Sequence, residues 1–327
     1  MKHLSLPLLA LCAALLCGCG ASSSSSSSSE PSLSSSEDSS LVSSSTASMP
    51  SYDTSALAEK YGEFSITVAE TGVGSYSYDE EQHVYTLAVA SSNAEYILSG
   101  YFSGMIKIEN PSSVGSFKGV TLTLQGACLV GEGSNPVINY AMDSKKVEVK
   151  AKKDTNNMVL ALGTGNAILS ENNVEFSGKG SLEMASLGGE AHTVKASDTI
   201  RVYGSPNITV SYSDHDAFHA NYLDFMEDPS DSTSSKFTGN LTVNRALSQA
   251  FDMETGKGKG YAHLQSGTVY INNVVNVFKV DKEIVIGADA SVIATNVSEE
   301  PYVHGEATES VALSVEGSFT VDGKAVN

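Results

Sequence analysis

Apolar residues recur along residues 138–293 in three sets, and the members of each set are mostly about 24–28 residues apart. The first set consists of Val147, Val174, Ile200 and Ile284. The second set consists of Met158, Leu182, Ile208, Leu241, Val269 and Val292. The third set consists of Ile138, Ile168, Val194, Phe218, Phe251 and Phe278. A repeat of this length is too short for a propeller blade and lacks helical spacing, so it predicts a solenoid whose coils bury their apolar residues by stacking.

The stretches around these positions alternate as β-strands do. In Ile200-Arg201-Val202, the two apolar side chains point to one side of the strand and Arg201 points to the other. Glycine-rich turns such as 177–180 separate the stretches. An antiparallel sandwich also has short strands and frequent turns, but it does not explain three positions per repeat. The pattern therefore predicts an all-β protein, a right-handed single-stranded parallel β-helix with an N-terminal β-rich cap.

Changes in composition divide the chain into four regions. Residues 1–18 have an apolar core that is too short to span a bilayer and is typical of an export signal. Residues 19–52 are mostly serine and predict a disordered tether, because they bury too little apolar surface to offset their ordering entropy. Residues 53–119 are predicted to be a β-rich leading and capping region, and residues 120–327 the β-helix domain.

The end of the signal, Leu16-Cys17-Gly18-Cys19, resembles the lipobox of bacterial lipoproteins. The resemblance implies cleavage before Cys19, lipidation of Cys19, and an extracytoplasmic protein anchored to the cell membrane. The alternative is an ordinary secretory signal that is cut elsewhere. Cys128 would then be the one other cysteine of the mature chain, with no internal disulfide, and we expect it to be buried.

The charge balance narrows the possible partners. A formal net charge of −19 argues against nucleic acid and against direct adsorption to anionic lipid. Arg201 and Arg245 are the two arginines, so recognition of an acidic polymer would need bridging cations. A monomer is the expected state.

The segment around residues 213–219 is the best candidate for a site. Asp214 and Asp216 lie at a predicted corner, and an acidic insertion that contains Glu227 and Asp228 follows. Calcium takes six to eight oxygen ligands, many of them carboxylates, so these four residues are predicted to bind calcium. The alternative is a solvated acidic turn.

Three histidines lie near this corner: His192, His215 and His219. Stacking would place His192 one coil away from Asp216, and zinc requires three or four such ligands in tetrahedral order. Zinc binding and solvated corner histidines therefore remain two alternative interpretations.

The order of these segments resembles a family of bacterial carbohydrate-binding parallel β-helices, often lipoproteins, with an architecture related to that of pectate lyases. The likeness covers roughly residues 90–297 and is carried by segments 96–100, 120–126, 136–139, 167–169 and 213–220. The last of these occupies the place of the family's Asp-Asp-Gly-Ile segment. The resemblance implies binding of polysaccharide, acidic sugars included, with calcium near the corner aspartates.

The chain departs from the family pattern in one column. The position two residues before the last five members of the third set reads Asn166, His192, Asp216, Gln249 and Asn276, so one acid is retained. Calcium is therefore expected around Asp214 and Asp216 alone, with His215, His219 and Arg201 as the residues predicted to contact the sugar.

Three functions are compatible with the sequence. The first is a surface lipoprotein that binds polysaccharide, with or without calcium. The second is a polysaccharide lyase related to pectate lyases, which would need a basic residue such as Arg201 beside the metal. The third is a structural or adhesive solenoid without a catalytic role.

Overall fold

The structure is a computed structural model that describes residues 48–69, 74–89, 94–109, 119–142, 145–225, 236–255, 258–305 and 310–327. The predicted lipidation site Cys19 and the predicted calcium ligands Glu227 and Asp228 lie outside the described residues. Within these ranges no helix combines the length and the hydropathy needed to cross a membrane.

The described residues form one α-helix, α1 (Thr54–Tyr61), and a long succession of β-strands. The first nine strands are β1 (Ser65–Val68), β2 (Gly74–Asp79), β3 (Val84–Val89), β4 (Ala94–Ser103), β5 (Met105–Glu109), β6 (Val120–Gly131), β7 (Ile138–Tyr140), β8 (Lys146–Ala151) and β9 (Asn156–Ala161). The next nine are β10 (Ile168–Ser170), β11 (Asn173–Gly178), β12 (Ser181–Ser186), β13 (Val194–Ala196), β14 (Thr199–Val202), β15 (Asn207–Ser213), β16 (Phe218–Ala220), β17 (Tyr222–Phe225) and β18 (Asn240–Val243). The last are β19 (Gln249–Met253), β20 (Tyr261–Val274), β21 (Asn276–Val280), β22 (Glu283–Val297), β23 (Tyr302–His304), β24 (Ala312–Val315), β25 (Ser318–Val321) and β26 (Lys324–Ala325).

Strands from successive coils pair side by side and in parallel to form three faces. The first face contains β8, β11, β14 and β17, continued by the N-terminal halves of β6, β20 and β22. The second face contains β9, β12, β15 and β18, continued by the C-terminal halves of β6, β20 and β22 and by β25. The third face contains β5, β7, β10, β13, β16, β19, β21 and β23. This pairing confirms the predicted all-β parallel β-helix.

The coil-to-coil register also confirms two of the three apolar sets. In the third set, Val194 pairs with Phe218, Phe218 with Phe251, and Phe251 with Phe278. The rings of Phe218 and Phe251 stack with centroids 5.4 Å apart, and those of Phe251 and Phe278 with centroids 5.3 Å apart. These side chains are fully buried, so one aromatic column runs through the core.

The second set is wrong at one member. Leu182 pairs with Asn157, whereas Met158 pairs with Glu183 and faces outward. The side chain of Asn157 is buried and accepts hydrogen bonds from the backbone N–H groups of Gly126, at 2.8 Å, and Ala127, at 3.1 Å. The inward-facing amide of Asn157 thus satisfies two backbone donors of β6.

Met158 is buried on the outside of the second face because α1 covers it. Met158 and Cys128 belong to a small apolar cluster against which Leu57 and Tyr61 of α1 pack. Asp53 caps the N-terminus of the helix, and its carboxylate accepts from the N–H groups of Ser55 and Ala56 at 3.0 and 3.1 Å. Cys128 is fully buried, as predicted.

The region predicted as a leading cap, residues 53–119, contains antiparallel and parallel elements. β1 pairs antiparallel with β4, and β2 pairs antiparallel with β3. β3 and β4 pair in parallel with β5 and β6, so coil stacking is already present before residue 120. At the other end, β26 folds back antiparallel on β25. Antiparallel pairing at both ends uses strand edges that would otherwise be exposed.

Candidate functional site

Three histidines and an aspartate meet at the corner between the second and third faces; we call His192, His215, Asp216 and His219 the histidine cluster. His192 lies two residues before Val194, and Asp216 lies two residues before Phe218. Because Val194 pairs with Phe218, the two residues occupy the same position in neighbouring coils. The parallel register therefore brings together side chains that are 24 residues apart in the sequence.

The ring nitrogens of the histidine cluster converge on one carboxylate oxygen. Oδ2 of Asp216 lies 3.1 Å from Nδ1 of His192, 2.9 Å from Nδ1 of His215 and 3.6 Å from Nδ1 of His219. The side chain of Asp216 has no exposed surface, whereas that of His215 is 39% exposed. The cluster is thus buried at the carboxylate and reachable from solvent through His215.

None of these close contacts is a hydrogen bond: the contacts of His192 and His215 are misaligned, and that of His219, at 3.6 Å, is too long. Asp216 Oδ2 and the Nδ1 atoms of the three histidines are buried, and each lacks a hydrogen-bond partner of acceptable geometry. The other oxygen of Asp216, Oδ1, accepts from the backbone N–H of Gln249 at 3.0 Å. Buried polar atoms normally form hydrogen bonds, so four buried polar atoms that lack one, all close to the same point, require an explanation.

Electrostatics at the cluster keep the carboxylate ionised. Burial raises the pKa of Asp216, but His192, His219 and the Gln249 N–H outweigh it and hold the pKa well below its usual range. Burial lowers the pKa of His219, yet Asp216 and Asp252 raise it to about 9. Burial is also the largest effect on His192 and lowers its pKa. The cluster therefore contains an ionised carboxylate, and the imidazoles of His192 and His219 differ in proton affinity.

Asp252 extends the cluster into the next coil. It pairs with His219 in the strand register, and its Oδ2 lies 3.6 Å from Nδ1 of His219. Nζ of Lys279 lies 3.5 Å from the same oxygen and 2.8 Å from Glu254 Oε2. Asp252 was missed by the sequence analysis, although its place one residue after Phe251, like that of His219 after Phe218, was a usable signal.

The structure brings some of the predicted site residues together and separates others. Asp216, His215 and His219 lie in the cluster, as does His192 of the zinc interpretation. Oδ2 of Asp214 accepts from the backbone N–H of Glu190 at 2.9 Å. Arg201 lies on the first face, between Glu175 and Asp224, and is not part of the histidine cluster. The calcium prediction stays a prediction, because half of its ligand set lies outside the described residues.

A second group of side chains lies on the outside of the first face; we call Arg201, Tyr222, Asp224, Tyr261 and His263 the tyrosine patch. Register places Arg201, Asp224 and His263 in one column and Tyr222 beside Tyr261 in the next. The rings of Tyr222 and Tyr261 have centroids 4.7 Å apart, and those of Tyr261 and His263 have centroids 4.1 Å apart. The patch thus combines stacked rings with charged groups from three successive coils.

Charge within the tyrosine patch is closely balanced. Nη1 of Arg201 lies 3.2 Å from Glu175 Oε1, and its Nε lies 3.7 Å from Asp224 Oδ2. Glu175 is itself buried and also pairs with Lys146. Burial raises the pKa of Asp224, and burial, followed by the charge of Asp224, raises the pKa of Tyr261 to about 12. These residues were not singled out by the sequence analysis except for Arg201; the tyrosines were detectable as the residues that precede inward-facing Leu223 and Ala262.

The fold and its outer faces define a parallel β-solenoid with polar and aromatic side chains on its surface. A family model described as "Carbohydrate-binding domain-containing protein" matches residues 82–327. The chain belongs to this carbohydrate-binding domain family, which confirms the general class that the sequence resemblance implied. No curated protein and no solved structure matches the chain.

Proposed function

We propose that this protein is a membrane-anchored surface lipoprotein that binds polysaccharide through the tyrosine patch. The match to a carbohydrate-binding domain family supports carbohydrate as the class of ligand. The patch is the proposed contact surface because it combines aromatic rings with charged hydrogen-bonding groups on a regular, outward-facing sheet. Sugar rings have an apolar C–H face and a hydroxyl rim, and such a surface complements both.

The direction of the patch supports a polymer as the ligand. Tyr222 and Tyr261 come from neighbouring strands, so their ring stack runs across the coils rather than along one strand. His263 and Glu283 continue the polar surface, with His263 Nε2 at 3.2 Å from Glu283 Oε1. A sugar chain laid in this direction would contact several coils at once, which a monosaccharide would not.

A neutral polymer fits the described patch better than an acidic one. The positive charge of Arg201 is already balanced by the carboxylates of Glu175 and Asp224, so it would attract a uronate carboxylate only weakly. An acidic polymer would depend on a bridging cation, which is the role proposed for calcium at Asp214, Asp216, Glu227 and Asp228. Binding to a uronate polymer that is lost on chelation and restored by calcium would support that finer proposal.

The test of the polysaccharide proposal is a double substitution, Tyr222→Ala with Tyr261→Ala. Affinity electrophoresis against a panel of neutral and uronate-containing polysaccharides should show retardation of the parent. The variant should bind roughly 5- to 150-fold more weakly, since two rings at about 0.5–1.5 kcal/mol each contribute about 1–3 kcal/mol. The matched control is Tyr270→Ala, which removes a tyrosine that is 41% exposed on the second face.

The control decides which face binds. Unchanged binding by the double variant would reject the patch, and loss with Tyr270→Ala instead would move the site to the second face. Absence of binding by the folded parent across the panel would reject polysaccharide binding itself. The lyase alternative makes a separate prediction: prolonged incubation with a uronate polymer would generate unsaturated products, detected by their ultraviolet absorbance.

A further inference from the structure

We propose that the histidine cluster is a binding site for a divalent transition metal, with zinc as the expected ion. His192, Asp216 and His219 supply the ligands, and their donor atoms all lie within 4.8 Å of one another. His215 stands beside them on the solvent side. This inference does not depend on polysaccharide binding through the tyrosine patch, because it rests on a different face and on different residues. It competes with the proposed calcium site for Asp216.

The two distances from Asp216 Oδ2 to the histidine donors are close to the edge of a zinc tetrahedron. With zinc–ligand bonds of about 2.0–2.1 Å, neighbouring ligand atoms in a tetrahedral site are about 3.3 Å apart. Asp216 Oδ2 lies 3.1 Å from Nδ1 of His192 and 3.6 Å from Nδ1 of His219. Small side-chain rotations would place one ion at bonding distance from all three atoms.

The orientation of the rings separates a metal site from ordinary histidine–aspartate pairs. In a simple ion pair the imidazole N–H points at the carboxylate oxygen. Here Nδ1 of His192 lies 3.1 Å from Asp216 Oδ2 without being aligned to donate to it, and Nδ1 of His219, at 3.6 Å, is too far away for a hydrogen bond. Side chains that surround a common point, with the carboxylate fully buried, have the arrangement of ligands around a cation.

The chemistry of the donors selects the class of ion. Imidazole nitrogens suit zinc, copper, nickel and iron, whereas calcium and magnesium prefer oxygen ligands in larger number. Two imidazoles and one carboxylate leave a fourth tetrahedral position for His215 or for a water molecule. His215 already lies 2.9 Å from Asp216 Oδ2, and its exposed side leaves a path from solvent.

The surroundings supply the support that metal ligands usually have. The Gln249 backbone N–H holds Asp216 through Oδ1, which leaves Oδ2 for the ion. Asp252 adds a second negative charge beside His219, and Lys279 partly balances that charge. Such outer contacts orient the ligands and typically change metal affinity by 10- to 100-fold when removed. A bound ion would link the coil of His192 to the coil of Asp216 and His219.

The experiment is zinc and cobalt titration of the full-length protein by calorimetry and visible spectroscopy. We expect one tightly bound zinc ion that displaces cobalt, and intense d–d absorption from cobalt in tetrahedral coordination. His192→Asn and Asp216→Asn should each weaken the site by about 100-fold or more, and Asp216→Asn retains the size of the side chain. The matched control is His83→Asn, which removes an exposed histidine of the β2–β3 turn.

The N-terminal cysteines could also bind zinc, but they are present in the parent and in every variant. A difference in zinc uptake between parent and variant therefore reports on the histidine cluster. Equal zinc uptake by the parent and by both folded cluster variants would overturn the proposal, as would weak cobalt absorption typical of octahedral coordination. Calcium binding that zinc does not displace would overturn it in favour of the oxygen-based site. Folding of each variant is checked by circular dichroism, and Asp216→Asn decides the matter if His192→Asn fails to fold.

Discussion

At the scale of single residues, the buried carboxylate of Asp281 holds three residues that lie between β19 and β20, Thr255, Lys259 and Gly260. Oδ2 of Asp281 accepts from the N–H and hydroxyl of Thr255, at 2.8 and 2.9 Å, and from the N–H groups of Lys259 and Gly260, at 3.2 and 3.1 Å. Burial raises the pKa of Asp281, but these donors outweigh it and lower the pKa. The ionised form is therefore favoured in the folded protein.

Asp281→Asn is expected to lower the free energy of unfolding by about 2 kcal/mol at neutral pH, because several donors lose a charged acceptor. The folded pKa lies below the ordinary value, so this stabilisation is present above an ordinary aspartate pKa of about 3.9 and is lost as the pH falls through the lower folded value. Urea denaturation at pH 7 and near pH 3 should show the difference between parent and variant shrinking in acid. Asp154→Asn, at a side chain that is 84% exposed, is the control. A difference that does not change with pH would contradict the role of the charge.

Phe218 tests the aromatic column of the core. It is fully buried between Val194 and Phe251, and truncation would leave a cavity that a regular stack closes poorly. Phe218→Ala should destabilise the protein by roughly 3–5 kcal/mol, measured by urea denaturation. Tyr270→Ala, at an exposed position on the second face, should stay within about 0.5 kcal/mol of the parent. Similar effects of the two substitutions would contradict a continuous packed column.

At the scale of secondary-structure elements, α1 closes an apolar surface on the second face. Tyr52, which the sequence analysis placed in the tether, lies just before α1, and its hydroxyl contacts Glu183 Oε1 at 2.9 Å and Ser211 Oγ at 2.6 Å. Leu57 and Tyr61 then cover Cys128 and Met158. The chain therefore joins the solenoid along its side as well as at its end.

The docking of α1 can be followed through the thiol of Cys128. Burial raises the pKa of Cys128 to about 12, so the thiol should react very slowly with a thiol reagent at neutral pH. Leu57→Asp should weaken the packing of α1 against the second face. Loss of this apolar contact should cost about 1.4 kcal/mol or more of docking free energy, so the labelling rate should rise at least about tenfold. Labelling by a Cys128→Ser variant is subtracted to remove other cysteines, and Ala56→Asp, on the exposed side of α1, is the control. Equal rates for the Leu57 and Ala56 variants would show that α1 does not protect the thiol.

At the scale of the whole molecule, the proposed anchor and the solenoid have separable roles. Lipidation of Cys19 predicts that the protein sediments with membranes and that the mature N-terminus carries acyl groups detectable by mass spectrometry. Cys19→Ser should release the protein from the membrane fraction while leaving its polysaccharide binding unchanged. A parent protein with an unmodified N-terminus that begins elsewhere would support the ordinary secretory signal instead.

The sequence determined the solenoid because stacking imposes the same demand on every coil. Val194, Phe218, Phe251 and their counterparts must all be apolar, and this produces a period that is visible without a structure. The same period predicted that His192 would lie one coil away from Asp216, which the register confirms. Met158 was misplaced because one coil puts Asn157 inward to satisfy backbone donors, and the apolar residue beside it packs under α1.

Tertiary structure alone decided which polar side chains share the tyrosine patch. Arg201, Tyr222 and His263 come from three coils of the first face, and their proximity depends on coil lengths that vary along the chain. Ring orientation in the histidine cluster likewise depends on the backbone at the corner, not on residue type. The periodic core was readable because its constraint is repeated in every coil, whereas each surface site is formed once, by side chains that only the folded register brings together.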